Sequence, residues 1–179
     1  MKIITISGAS GCGKSTLVQF LQNKGFSYIK SYTTRKPRKD DNNNYIHVSI
    51  EDFKNLEQEN FFLETDVYQD YLYGTPAILD QYSNDDILVL DLTVEGVSSL
   101  RTKMKDVKIL SLYLYIDFET LIRRLLLRNT NDLDSICKRL YKSKQELTNI
   151  LDSNNIDLCI NMNNINHDKI LEMIYALLN

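Results

Sequence analysis

A glycine-rich loop at residues 8–15 carries the residue types and spacing needed to bind nucleotide phosphates. Glycines let the backbone fold around an anion, and the N–H groups that begin the following helix then point at it. We expect Lys14 to reach the outer phosphates of a triphosphate and Ser15 to hold Mg²⁺. The residues predicted to bind this nucleotide are Gly8, Ala9, Ser10, Gly11, Cys12, Gly13, Lys14, Ser15 and Thr16.

The segments on either side of the loop support this interpretation. Apolar residues 3–6 predict a buried strand before the loop, and the apolar spacing within residues 17–21 predicts a helix after it. Strand, loop and helix in this order favour a phosphate-binding loop over an ordinary glycine-rich turn. Cys12 lies inside the loop, where we expect it to fill a backbone position rather than to act as a reactive thiol.

A second group of cations follows at residues 31–38, which include Arg35 and Arg38. Guanidinium groups bind a phosphate dianion through paired hydrogen bonds, and the phenols of Tyr45 and Tyr73 are candidates to add one bond each. A short basic run is otherwise a solvated surface turn. Because the chain already has one phosphate site, the run predicts a clamp for a second phosphate.

Three further arginines form a third cationic group, with Arg124 and Arg128 four residues apart on one predicted helix and Arg139 on the next. Like charges at this spacing destabilise a bare helix by about 0.2–0.5 kcal/mol. A phosphoryl group in transfer between them would reverse that effect. The alternative is a surface helix whose arginines pair with Asp117 and Glu119. The predicted catalytic residues are Lys14, Arg124, Arg128 and Arg139.

Two carboxylates follow apolar runs and are candidates for the site. Asp91 ends the run at residues 87–90, where a phosphate-loop protein has the acid on the magnesium side of the nucleotide. It would alternatively stabilise the start of the next helix. Glu64 follows residues 61–63, and beside a purine its carboxylate is able to accept from N1–H and N2–H₂ of guanine. The predicted metal ligands are Ser15 and Asp91.

The bulk composition restricts the classes of partner. The chain has 179 residues, which suits one domain, and its net charge of −3 with a pI near 5.4 argues against binding to nucleic acid polymers or acidic membranes. Its three cysteines lack metal-site spacing, and no stretch has the length of a membrane span. We therefore expect a reduced, cytoplasmic protein.

Strand and helix patterns alternate along the chain, which predicts an α/β protein with helices on both faces of a parallel sheet. Residues 31–74 interrupt this alternation with short apolar runs and predict an inserted mixed sheet with a helix near 50–58. Residues 128–134 are irregular and suit a lid hinge. The predicted strands of the main sheet are 2–6, 86–90, 108–115 and 156–160, and the predicted helices are 14–23, 94–103, 117–127, 135–151 and 167–178.

Several of these motifs, in one order and at fitting spacings, resemble the guanylate kinase family over nearly the whole chain. The resemblance is more specific than the phosphate loop alone because it needs all of the blocks together. The matching blocks are residues 8–15, residues 31–38, residues 62–64, residues 73–75, residues 90–91 followed by Gly96, and the arginines at 124, 128 and 139.

The resemblance implies a phosphate-loop NTPase fold of three layers, with a central parallel sheet, an inserted mixed-β subdomain that binds the phosphoryl acceptor, and a helical lid. One domain would then span residues 1–179. Its core would comprise about 1–30, 75–123 and 140–179, the insert about 31–74, and the lid about 124–139. The implied reaction is the transfer of a phosphoryl group from ATP to GMP with Mg²⁺, by in-line displacement.

The resemblance also implies roles for single residues. Glu64 would read N1 and N2 of guanine, with Ser31 and Thr75 near O6, and Asn161 would lie near the adenine of ATP. The three arginines of the lid would close on the phosphates. The implied substrate-binding residues are Ser31, Arg35, Arg38, Tyr45, Glu64, Tyr73, Thr75 and Asp91.

The chain departs from the family pattern on the acceptor side. Thr93 stands where the family has a second Asp, and the loop at residues 39–44 is two residues short, with Asp41 in place of a Glu. We therefore expect a strong but not extreme preference for GMP over AMP. Two alternatives remain open: a kinase acting on another small phosphate, such as a ribose bisphosphate, and an inactive binding module. The intact Lys14 and Ser15 argue against the inactive module.

Overall fold

The protein is described here from a computed structural model, which covers residues 1–38, 41, 43–127, 133–150 and 154–178. Within these residues the strands are β1 (Lys2–Gly8), β2 (Ser27–Tyr28), β3 (Ser31–Thr33), β4 (Tyr45–His47), β5 (Phe62–Tyr68), β6 (Tyr71–Pro76), β7 (Ile87–Asp91), β8 (Lys108–Tyr115) and β9 (Leu158–Asn161). The helices are α1 (Lys14–Asn23), α2 (Ile50–Gln58), α3 (Val94–Lys103), α4 (Phe118–Leu127), α5 (Leu133–Ile150) and α6 (His167–Leu178), with a 3₁₀ turn at Leu79–Gln81.

A parallel five-stranded sheet in the order β2-β7-β1-β8-β9 forms the centre of the molecule. Strand β1 lies in the middle, and its residue Ile4 pairs with Val89 on one side and Leu110 on the other. Both faces of the sheet are covered, so its strands are continuously apolar rather than alternating. The predicted α/β class with a central parallel sheet is confirmed.

Alternate residues of β1 enter two separate cores. Ile4 packs with α1 and α6 through Leu17 and Ile174, whereas Ile3 packs with α3 through Val97. The period of two along a strand sends successive side chains to opposite faces, which makes the three layers. Because β1 is enclosed on all sides, the loop that follows Gly8 starts from a rigid base.

A second sheet, in the order β4-β3-β6-β5, stands beside the first. Its β3 and β4 are parallel, while β6 runs antiparallel to both β3 and β5. Helix α2 packs on it through Phe53, whose ring stacks on Phe62 at 4.6 Å between centroids. Ser49 caps α2 by accepting from the N–H of Asp52. This sheet carries four of the residues predicted to bind the phosphoryl acceptor: Ser31, Tyr45, Glu64 and Tyr73.

Two details differ from the sequence-based expectation. Strand β2 was not predicted, since a strand of two residues is too short to show a period. Of the irregular stretch predicted at 128–134, residues 128–132 lie outside the described residues, and Leu133 and Asp134 already belong to α5. No helix in the described ranges is long and apolar enough to cross a membrane.

Candidate active site

The phosphate loop connects the end of β1 to the start of α1 and depends on its first glycine. Gly8 has a φ of 136°, and a Cβ there would lie 2.2 Å from the carbonyl oxygen of Leu114. A side chain at this position is therefore excluded by the neighbouring strand as well as by the backbone conformation. Lys14 folds back over the loop, and its ammonium group donates to the Gly8 carbonyl at 2.7 Å.

The start of α1 is arranged to receive an anion. Gly13 is its N-cap in the left-handed conformation, no described side chain caps the helix, and its first turn contains no acid. Its N-terminal N–H groups and positive dipole end are therefore available to phosphate. Burial opposes the charge on Lys14, but nearby groups, Asp91 foremost, outweigh it and raise the pKa of the ammonium group.

A cavity of about 410 Å³ joins the phosphate loop to the second sheet. It brings together most of the residues that the sequence predicted. Those lining it are Gly8, Ser10, Gly11, Gly13, Lys14, Ser15, Thr16, Ser31, Arg35, Arg38, Tyr45, Glu64, Tyr73, Asp91 and Arg124.

The other predicted residues have different positions. Ala9 and Cys12 are turned into the core, so only their backbone is available to a ligand, and burial raises the pKa of the Cys12 thiol. Asn161 ends β9 at the same sheet edge as the loop, but it is exposed, outside the cavity lining, and accepts from the N–H of Asn163. Thr75 is not in the cavity lining but donates to Glu64, which is. Arg139 on α5 contacts the phosphate loop. Arg128 lies outside the described residues.

Arg35 is a buried cation in the cavity lining, with only 5% of its surface exposed. Its Nε donates to the Tyr73 hydroxyl at 3.1 Å, and one terminal nitrogen donates to Asp41 at 2.6 Å. Its guanidinium group also lies over the Tyr45 ring, 5.3 Å from the centroid. The two tyrosines and Asp41 thus orient a guanidinium group toward the cavity before any ligand binds.

Asp41 holds the shortened loop together. Its second oxygen accepts from the N–H of Arg38 at 2.7 Å and lies 3.3 Å from Nε2 of His47. Burial tends to raise the pKa of this carboxyl, but the hydrogen bond from Arg35 and the N–H of Arg38 lower it. The carboxylate therefore stays ionised and positions both arginines.

Tyr45 and Asp91 connect the two sheets across the cavity. The Tyr45 hydroxyl on β4 donates to Asp91 at the end of β7, at 2.8 Å. Burial and the charge of Asp91 raise the pKa of the Tyr45 phenol well above its ordinary value. The phenol therefore remains a hydrogen-bond donor at neutral pH.

Glu64 on β5 also lines the cavity and is only 4% exposed. It accepts from the Thr75 hydroxyl at 2.7 Å. A Cβ at Gly96, in the first turn of α3, would lie 3.0 Å from its other oxygen, so glycine there makes room for the carboxylate. Burial raises the pKa of Glu64. Ser31, 3% exposed, lines the same cavity.

Arginines on the last two elements before β9 reach the phosphate loop. Arg124 on α4 donates to the Gly11 carbonyl at 3.1 Å, and Arg139 on α5 donates to the Ser10 hydroxyl at 3.4 Å. The exposed partner of Glu119 is Arg123, at 3.0 Å, rather than Arg124. The sequence-based alternative, an arginine face held by surface ion pairs, therefore does not describe Arg124.

The residues present suit a magnesium ion. Ser15 and Asp91 both line the cavity beside the phosphate loop, one supplying a hydroxyl and the other a carboxylate. Among the described residues there is no cluster of three or more acid, His or Cys ligands. Mg²⁺ needs no such cluster, because it usually combines one or two protein oxygens with waters and substrate phosphates.

Four polar residues that line the cavity were not predicted as contact residues from the sequence: Asp66, Tyr68, Thr93 and Glu146. Asp66 and Tyr68 alternate with Glu64 along β5, so a period of two from Glu64 would have indicated them. Glu146 comes from α5, far along the chain. Lys142 of the same helix lies 3.9 Å from the centre of the Tyr68 ring.

The phosphate loop lies at the carboxyl edge of the central parallel sheet, and one cavity joins it to the second sheet. This arrangement defines a phosphate-loop protein of the kinase class. A family model described as guanylate kinase matches residues 1–178. The guanylate kinase of Nostoc sp. is 33% identical over 153 residues, which is 82% of this chain and 76% of that protein. That of Caldanaerobacter subterraneus is 30% identical over 185 aligned positions, which is 98% of this chain and 85% of that protein.

A solved structure agrees on the fold. The crystal structure of guanylate kinase from Anaplasma phagocytophilum has a TM-score of 0.72 at 20% identity and covers 99% of this chain and 84% of that one. The chain belongs to the guanylate kinase family. The sequence-based resemblance is thereby confirmed.

Proposed function

We propose that the protein transfers the γ-phosphoryl group of ATP to the phosphate of GMP, giving ADP and GDP. The observation that carries this is that one cavity is lined both by the phosphate loop and by the arginine clamp around Arg35 and Arg38. Two anions held in one enclosed space are what phosphoryl transfer between nucleotides needs. Relatives that are 30–35% identical are named guanylate kinase.

ATP binds with its phosphates on the loop and on the N-terminus of α1. Lys14 keeps its charge and has hydrogen-bond donors left beyond the one given to Gly8. Ser15 and Asp91 would hold Mg²⁺, which would supply charge neutralisation for the phosphates there. Asn161, at the same sheet edge, is proposed to lie near adenine.

GMP binds with its phosphate at Arg35, Arg38, Tyr45 and Tyr73 and its base at Glu64. The ionised Glu64 carboxylate accepts from N1–H and N2–H₂ of guanine, and Thr75 fixes its orientation. Ser31 donates toward O6. This assigns base recognition to the part of the cavity lined by β5 of the second sheet.

The reaction itself needs positioning and charge neutralisation more than a strong base. An oxygen of the GMP phosphate attacks the γ-phosphorus of ATP, and the bond to the bridging oxygen of ADP breaks. Lys14, Arg124, Arg128 and Arg139 neutralise the charge that spreads over the transferring group. Closure of the insert at 31–74 and of the lid at about 124–139 on the core excludes water and so suppresses hydrolysis of ATP.

The alternatives are less well supported. A ribose bisphosphate has no N–H groups to donate to Glu64, which is buried in the cavity lining. An inactive module would not need the Lys14 and Ser15 arrangement. We propose nucleotides rather than nucleic acid polymers as partners, and the free cysteines Cys12, Cys137 and Cys159 are in keeping with a reducing cytoplasm.

An acceptor panel tests the proposal. The chain is assayed with ATP and Mg²⁺ against GMP, AMP, CMP and a ribose bisphosphate, and ADP formation is measured. We expect GMP to be used at least about 100-fold more efficiently than AMP. Equal use of AMP or CMP, or turnover of the sugar phosphate alone, would contradict it.

A further inference from the structure

Asp66 places a second carboxylate on the same strand as Glu64, in the lining of the same cavity. The two acids alternate on β5, and both line the cavity. One oxygen of Asp66 accepts from the N–H of Val67 at 2.7 Å, and the other accepts from the Thr93 hydroxyl in a short contact. A carboxylate held at both oxygens by protein donors has a defined orientation.

Thr93 uses its hydroxyl entirely within the protein. It gives its single proton to Asp66, and its oxygen accepts from the N–H of Gly96 at 3.0 Å, which caps α3. Thr93 therefore has no proton left for a ligand. Each oxygen of Asp66, in contrast, has further lone pairs and can accept another hydrogen bond.

Two carboxylates in one enclosed space favour a ligand with several donors. Glu64 is 4% exposed and is oriented by Thr75, and the charge of Asp66 adds to the burial that raises its pKa. The guanine edge offers three protons, one on N1 and two on N2. Two hydrogen bonds to Glu64, one from N1 and one from N2, would leave the second N2 proton without an acceptor. Asp66 is the acid next along the strand.

We propose that Asp66 is a specificity-determining residue that accepts the remaining proton of the guanine 2-amino group. It thereby supplies from β5 the second carboxylate that position 93 lacks. This rests on the proposed function, because it assigns a contact within the GMP subsite. It predicts that the enzyme distinguishes GMP from IMP, which has the same phosphate, ribose, O6 and N1–H but no 2-amino group.

The test compares kcat/KM for GMP and for IMP in the wild type and in Asp66→Ala. A hydrogen bond to a charged group supports a loss of about 10- to 100-fold with GMP. With IMP we expect a change of less than about threefold, since IMP makes no such bond. Asp66→Asn keeps the shape of the side chain, so kcat/KM for GMP should fall less than in Asp66→Ala, again with little change for IMP. Asp70→Asn is the matched control, because it removes an exposed acid from the turn of the same hairpin.

A double variant tests whether the position of the carboxylate matters. Thr93→Asp in the Asp66→Ala background places a carboxylate at position 93, the residue that contacts Asp66 in the wild type. Aspartate is itself a good N-cap for α3. We expect it to restore at least part of the ratio between GMP and IMP. Binding of both nucleotides is measured by calorimetry alongside turnover, so that contact and chemistry are separated.

The outcomes separate this inference from the proposed function. If kcat/KM fell equally for GMP and IMP in Asp66→Ala and Asp66→Asn, Asp66 would have a structural role and the inference would be overturned. The inference would also be overturned if neither value of kcat/KM changed. A wild type that binds and phosphorylates neither purine nucleotide would instead overturn the proposed function, and the inference with it.

Discussion

Lys14 shows how one residue connects the loop to the chemistry. Its ammonium group lies at the start of α1 and keeps its charge despite burial. We predict that Lys14→Ala lowers kcat by at least about 10³-fold, because it removes a positive charge that neutralises the transferring phosphoryl group. Circular dichroism should show an unchanged fold. Lys24→Ala, at an exposed lysine paired with Asp168, is the control. Near-normal turnover in Lys14→Ala would remove the loop from the mechanism.

Glu64 is the residue on which we propose that the choice of base depends. We predict that Glu64→Gln lowers kcat/KM for GMP by about 10²-fold or more and leaves ATP binding intact, because an amide presents a donor where guanine needs an acceptor. Equal losses for ATP and GMP would contradict this role.

The raised pKa of Glu64 also has a consequence for pH dependence. The carboxylate accepts from guanine only when ionised, and burial makes it protonate at a higher pH than an ordinary glutamate. We predict that kcat/KM for GMP falls on the acid side beginning above the ordinary glutamate range. The measurement is a pH profile, and Glu64→Gln should lack this acid limb. A wild-type profile that is flat down to the ordinary range would contradict it.

At the scale of elements, α4 and α5 carry the arginines that face the loop. Arg124 on α4 reaches the Gly11 carbonyl, whereas its neighbour Arg123 points to solvent and pairs with Glu119. We predict that Arg124→Ala and Arg128→Ala lower kcat much more than they weaken nucleotide binding, by up to about 10³-fold. Arg123→Ala is the matched control on the same helix. A change in KM alone would show that these arginines bind ground states only.

At the scale of the whole molecule, contact between the two sheets shapes the cavity. Tyr45 on the second sheet donates to Asp91 on the central sheet. We predict that Tyr45→Phe lowers the free energy of unfolding by about 1–2 kcal/mol, because it removes a hydrogen bond to a charged group, and that it raises KM for GMP. Thermal unfolding and acceptor kinetics measure the two effects. Tyr71→Phe, at an exposed tyrosine on the same sheet, should leave both unchanged.

The whole molecule is acidic, and its cavity gathers four cations, Lys14, Arg35, Arg38 and Arg124, beside five acids, Asp41, Glu64, Asp66, Asp91 and Glu146. Net charge therefore says little about the site. The local charge results from the fold, which brings cations from the loop, the second sheet and α4 to one space.

Features written in short stretches of sequence were predictable. The phosphate loop, the order of strands and helices, the inserted mixed sheet and Glu64 all have local signals, because glycine spacing and apolar period act within a few residues. Their described bounds agree with the sequence to within a few residues, apart from β2 and the stretch around residue 133.

Contacts between distant segments were decided only by the tertiary structure. Asp66 meets Thr93, Glu64 meets Gly96 and Tyr45 meets Asp91 because β4, β5, β7 and α3 converge on one cavity. A single sequence shows the residue types but not which pairs the chain brings within hydrogen-bond distance. The sequence by itself therefore determined the family, the loop and the order of elements. The long-range packing of the two sheets decided which of these side chains meet across the cavity.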